Sequence, residues 1–170
     1  MRKIFLALIS ILTLASCGGD KKNEENNNVE KQPALKYSLE MDAIYEKDDS
    51  LSIIYQLDNV MQYEKAIEYK IKGSAIPQKI TINFPEGENP ENLNIIVSTN
   101  KEQSHLTINN ISITIGDNVI DGSNYKYAEF LLTDPSFSWD LEKSRYNLIH
   151  TNKYPPALVG NEKLLSLMLQ

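Results

Sequence analysis

From Tyr37 onward the chain alternates. Tyr37, Leu39, Met41, Ala43 and Tyr45 share one phase, and Ser38, Glu40 and Asp42 occupy the other. A period of two places the first set on a single face of a half-buried strand. After the turn Glu46-Lys47-Asp48-Asp49-Ser50, the pattern resumes at Leu51, Ile53, Tyr55 and Leu57. Ile67, Tyr69 and Ile71 repeat it up to Gly73-Ser74. Ile80, Ile82 and Phe84 follow, closed by Pro85 and Gly87, and then Leu93, Ile95 and Val97. Each run is of ordinary strand length and is bounded by turn chemistry.

The next run slips phase. Leu106 and Ile108 are even-numbered, whereas Ile111, Ile113 and Ile115 are odd-numbered, with Asn109-Asn110 between them. A bulge at the asparagines keeps both sets on one face. Tight turns at Gly116-Asp117-Asn118 and Asp121-Gly122-Ser123-Asn124 flank Val119-Ile120. Later strands are expected around Phe130 and Leu132, Phe137 and Trp139, and Tyr146 and Leu148. Asn161 is placed to cap a short helix carrying Leu164, Leu165 and Met168. About ten short strands in one unit predict an all-β fold, an antiparallel, jelly-roll-like β-sandwich with a short C-terminal helix.

The first 35 residues follow different rules. Arg2 and Lys3 precede the apolar run Ile4 to Leu14, and Leu14-Ala15-Ser16 leads to Cys17, the only cysteine. As a helix this run would span ~15 Å, about half a bilayer core, which suits an export signal and not a membrane span. The stretch resembles the lipobox of bacterial lipoproteins. That resemblance implies cleavage before Cys17 and acylation of its thiol and amino group. Residues 18–34 hold one valine among Gly, Asn, Lys and Glu, too little apolar surface to offset the entropy of ordering them. The expected organisation is a signal peptide over 1–16, a lipidated Cys17 with a flexible tether over 17–35, and a sandwich domain over 36–170.

Charge removes several function classes. Two of the 17 basic residues precede the cleavage point, which leaves 15 against 23 acidic ones and a formal charge of −8. Nucleic acid is therefore not an expected partner, because phosphate binding needs clustered Lys and Arg. Anionic lipid is disfavoured for the same reason, so membrane attachment falls to the acyl chains.

Gln78-Lys79-Ile80-Thr81-Ile82-Asn83-Phe84-Pro85 is followed by Asn92-Leu93-Asn94-Ile95. Leu106-Thr107-Ile108-Asn109-Asn110-Ile111-Ser112-Ile113 comes next, then Lys153-Tyr154-Pro155-Pro156-Ala157-Leu158. This order resembles a β-sandwich domain of Bacteroidetes envelope proteins, found as free lipoproteins and beside polytopic glycosyltransferase-like membrane proteins. In shape that domain is similar to galactose-binding-like and carbohydrate-binding sandwiches. The resemblance implies an outer-membrane location and a glycan ligand. This chain has Asn94 and Ile96-Val97-Ser98 where family members often carry Arg and Asp-Pro-Gly.

No phosphate loop, nucleophile elbow or dinucleotide fingerprint is present, and no acidic pair stands in a hydrolase context, so an enzyme is not expected. His105 reads as a surface residue and His150 as semi-buried. Asp48-Asp49 reads as a solvated turn, and Asp49-Ser50-Leu51 fits a short Bacteroidetes O-glycosylation pattern. Asp117 and Asp121, with Asn118 and Asn124, form an oxygen-rich loop of the kind that holds calcium, or else set turn conformation. Calcium is the one cofactor considered. Tyr125, Tyr127, Trp139 and Tyr154 are the candidate ligand-binding residues, because a pyranose offers an apolar face to an aromatic ring. The alternation of Phe137, Trp139 and Leu141 favours a core position for Trp139. The combined expectation is a non-enzymatic, membrane-anchored envelope lipoprotein whose sandwich binds glycan or supports a polysaccharide system. The alternative is a protein-interaction subunit of an envelope membrane complex, with no sugar affinity.

Replacing Cys17 by Ser should leave an uncleaved or unlipidated protein, read by mass spectrometry of the N-terminus. An unmodified Cys17 in the native protein would overturn the anchor.

Overall fold

A computed structural model describes residues 35–170. The expected leader, Cys17 and the expected tether up to residue 34 lie outside the described residues.

In chain order the strands are β1 (Tyr37–Tyr45), β2 (Asp49–Leu57), β3 (Val60–Met61), β4 (Ile67–Ile71), β5 (Gln78–Asn83) and β6 (Asn92–Ile96). They continue with β7 (His105–Ile115), β8 (Asn118–Ile120), β9 (Leu131–Thr133), β10 (Phe137–Asp140), β11 (Arg145–Leu148) and β12 (Ala157–Gly160). One sheet runs β10-β11-β7-β1-β5 with β8 also on β7, and the other runs β3-β2-β6-β12-β9 with β4 also on β2. All pairings are antiparallel. The inner faces carry the alternating apolar sets: Leu39, Met41 and Tyr45 from the first sheet, and Leu51, Ile53, Tyr55, Leu93 and Ile95 from the second, are fully buried in one core. The fold is an all-β antiparallel sandwich.

The predicted bulge sits where the phase slips. Asp42 pairs with Asn110 and Ala43 with Ile108, so Asn109 is the extra residue. Ile108 and Ile111 both point inward and are buried. The helix α1 (Glu162–Met168) is also where expected. The Asn161 side chain accepts hydrogen bonds from the amides of Lys163 (2.9 Å) and Leu164 (3.2 Å), and Leu164 and Met168 enter the core.

Two local expectations are corrected. Leu132 faces outward and is half exposed, while Leu131 is buried. A 3₁₀ turn over Lys126–Glu129 ends at Phe130 in a non-extended conformation, and this resets the alternation. In β12, which the alternation did not single out, Leu158 turns inward and Val159 outward. A Cβ on Gly160 would lie 2.0 Å from Asn92 Oδ1, so only glycine fits there.

The second correction is Asp49. It opens β2, is nearly buried, and accepts from the Ser50 amide (2.7 Å), the Ser98 hydroxyl (2.6 Å) and the amides of Thr99 (2.9 Å) and Asn100 (3.0 Å). Four donors on one carboxylate offset its desolvation and hold the Ser98–Asn100 loop against β2. Its neighbour Asp48 does stay exposed, paired with Lys72 and the Gly73 amide. Ser50 is buried and bonded to the Thr99 hydroxyl at 2.6 Å, so the O-glycosylation pattern falls on a side chain that is not presented.

Ile111→Ala should cost about 2–5 kcal/mol in chemical denaturation, as for a buried Ile in a packed core. Leu132→Ala, on the outer face, should cost within roughly 0.5–1 kcal/mol. Equal losses would contradict the assigned faces.

Candidate functional site

The aromatic candidates separate into two groups. Trp139 lies on β10, the edge strand of the first sheet, and pairs across to Tyr146 on β11. Tyr146 in turn pairs with the buried Leu106. Cross-strand partners share a face, so Trp139 points to the inner side, as its alternation predicted. It is nevertheless 42% exposed. Direction and burial part company because β10 is the outermost strand and the core thins out there. Leu141, expected to continue the inward set, lies past the end of β10 and is exposed. The core assignment of Trp139 is therefore corrected to a half-exposed edge position.

Tyr125 is brought to Trp139 by an unusual turn. Asn124 and Tyr125 both have positive φ, +54° and +62°. Asparagine tolerates this region, whereas a tyrosine there is uncommon and strained. The turn is held by hydrogen bonds from the Lys126 amide to the Ser123 carbonyl (3.1 Å) and from the Tyr127 amide to the Gly122 carbonyl (3.2 Å). Gly122 allows the segment to lie on β7, since a Cβ there would be 1.9 Å from the Ile111 carbonyl oxygen. Tyr125, 46% exposed, then meets Trp139 edge-to-face with centroids 5.7 Å apart.

Beneath them is a braced bed. Trp139 contacts Tyr146 at 4.9 Å, and Phe137 contacts Tyr146 at 5.4 Å. Tyr127, expected as a ligand-binding residue, is fully buried and is reassigned to the core. Its hydroxyl donates to the Ile108 carbonyl at 3.2 Å and stands 3.4 Å from the Tyr146 hydroxyl. Burial, with the Tyr146 contact second, pushes its pKa far above the ordinary tyrosine value, so it stays protonated as a donor. Gly122 and the left-handed pair escaped the sequence reading as parts of the site, whereas Tyr146 stood among the aromatics it grouped there. The Asp-Gly-Ser-Asn run signalled a turn, but not what the turn carries.

Tyr154 is elsewhere. Its hydroxyl donates to the Thr99 carbonyl at 2.6 Å, its ring meets His150 at 5.6 Å, and the Lys101 ammonium lies 4.8 Å from its centroid. It thus braces the loop that Asp49 holds. His150, half-buried as expected, donates Nε2–H to the Gln103 carbonyl at 3.0 Å. His105 is half-buried as well, with Nδ1 3.0 Å from Asn147 Oδ1.

Asp121 turns back on its own loop. The Ser123 amide (3.0 Å) and hydroxyl (2.8 Å) donate to it and, with Lys126 at 3.7 Å, hold its carboxyl below the usual carboxylate range. Asp117 lies across β8 from it. Among the described residues no three His, Cys, Asp or Glu side chains converge as a metal site would. These contacts give Asp121 a turn-forming role. Three open depressions of about 450, 460 and 570 Å³ ring the end where β1 begins, and neither Tyr125 nor Trp139 lines them. Among the described residues, the aromatic corner thus lies apart from these three depressions.

Comparison with protein-family models, with curated proteins and with solved structures gives no match.

Gly122→Ala should lower stability by about 1–3 kcal/mol through overpacking against Ile111 and Tyr127. It should also disturb Trp139 emission by displacing Tyr125. Unchanged stability and spectrum would show that the turn has slack.

Proposed function

We propose that this chain is a non-enzymatic lipoprotein of the bacterial cell envelope, held at the outer membrane by acylated Cys17, whose sandwich binds glycan at the Trp139–Tyr125 corner. The observation that carries the reading is the pairing of two half-exposed aromatic rings on a rigid bed. Trp139 and Tyr125 stay in contact at 5.7 Å while Tyr127 and Tyr146 beneath them are buried. Preorganised rings lose little entropy when a ligand settles on them. The axial C–H face of a pyranose is apolar and suits such a ring, and the hydroxyls around its rim remain solvated. The lipobox and the resemblance to Bacteroidetes envelope sandwiches support the location and the ligand class. With the half-exposed rings lying outside the three depressions, the expected dissociation constant is on the order of 1 mM.

One observation favours the second reading, an interaction subunit of an envelope membrane complex. Ile54, Ile96, Val159 and Leu132 share the outer face of the second sheet through the pairings of β2, β6, β12 and β9. The outer face of the first sheet instead carries Glu40, Asp42, Lys79, Thr81, Ser112 and Thr114. Ser52, Asn94, Glu68 and Lys70 share that face, so the exposed Leu132 and Val159 are the apolar residues a partner would meet there.

Trp139 is the sole tryptophan, so its emission reports on the corner directly. Titration with a glycan panel should change that emission, and Tyr125→Ala should weaken binding about tenfold while costing less stability than Ile111→Ala. Absence of binding at millimolar sugar, together with loss of a co-purifying membrane protein in Leu132→Asp, would favour the interaction subunit.

A further inference from the structure

The rings at the corner are nearly perpendicular. Tyr125 and Trp139 are inclined at 80°, Trp139 and Tyr146 at 70°, and Phe137 and Tyr146 at 86°. Stacking requires a pyranose to lie parallel to an aromatic face with its C–H groups aimed at the π-cloud. A linear glycan that stacks two successive sugars therefore needs two aromatic faces that are parallel or only gently turned. The two exposed rings of this corner do not provide that, and Tyr146 beneath them is buried.

What they provide is an L-shaped seat. Edge-to-face contact at 5.7 Å leaves no gap between the rings, so a sugar lying on one has the other rising beside it as a wall. The wall can pack against the side of a single ring, but it blocks a chain that would continue in the same plane. The left-handed turn at Asn124–Tyr125 fixes this angle, as do the contacts of Trp139 with Tyr146 below. Tyr154 cannot lengthen the seat, because it is bonded to the Thr99 carbonyl and lies against His150 and Lys101 in the other aromatic group.

Building on the glycan reading of this corner, we propose that it recognises one terminal or branch-end pyranose, not the face of an extended polysaccharide. Chain ends, and not chain length, then set how much ligand the protein holds.

The test compares sugars of one kind at different lengths. Full-length protein, in a detergent without a sugar headgroup, is titrated with methyl glucoside, galactoside, mannoside and N-acetylglucosaminide. Each is matched with its linear di-, tri- and tetrasaccharide, and Trp139 emission is followed. For whichever sugar binds, the affinities of monomer and tetramer should agree within about threefold, since added residues meet no further aromatic surface. Trp139→Phe, which has no tryptophan emission and is therefore titrated by calorimetry, should retain this length-independence with weaker binding, and Tyr125→Ala, checked for folding by circular dichroism, should weaken every length alike. An affinity rising about tenfold or more from monomer to tetramer would overturn the single-unit seat while leaving glycan binding intact. No response to any member at millimolar concentration would overturn both.

Discussion

One extra residue governs the first sheet. With Asn109 bulged out of the ladder, both halves of β7 turn their isoleucines and leucine into the same core; without it, one half would face solvent. β7 also has three strand partners, pairing with β1 along its length, with β8 at one end and with β11 at the other. Its register therefore passes outward. Leu106 sets the position of Tyr146, Tyr146 sets that of Trp139, and the Ile111 carbonyl sets how closely Gly122 can approach. The aromatic corner is a consequence of the bulge several residues away.

The corner also shows how strain and burial are traded. A tyrosine in the left-handed region costs of order 1–3 kcal/mol. Two residues on, Tyr127 inserts fully into the core and makes a hydrogen bond to the Ile108 carbonyl, a burial whose ~1.5–3 kcal/mol is comparable. The turn can thus hold Tyr125 partly exposed against Trp139 because its neighbour anchors it. Edge position explains the rest, since β10 has a partner on one side only and its inward face is only partly covered.

Two buried carboxylates organise the connections. Asp49 gathers the Ser98–Asn100 loop. Asp134, which nothing in the sequence singled out, accepts from the amides of Ser136 (2.9 Å) and Ala157 (3.2 Å) with Lys153 3.4 Å away. Each is nearly buried and each satisfies backbone amides that have no strand partner, which is why loops at these positions stay ordered. The acidic residues that look most like chemistry in the sequence are thus mostly architecture.

The sequence by itself determined what depends on neighbours two residues away. The alternation of β1, β2, β5, β6 and β7, the bulge at Asn109-Asn110 and the Asn161 cap are local, because strand faces and helix starts are set by short-range geometry. It also determined that Trp139 points inward. It could not determine how deeply, because burial of an inward side chain depends on what lies opposite, and only the sheet order places β10 at an edge. The same holds for Tyr127, whose neighbours in sequence are exposed and whose partners come from β7 and β11. It holds for Asp49, whose donors lie about fifty residues away. Local order wrote the strands; the long-range pairing of strands decided which aromatics became core, which became surface, and at what angle they meet.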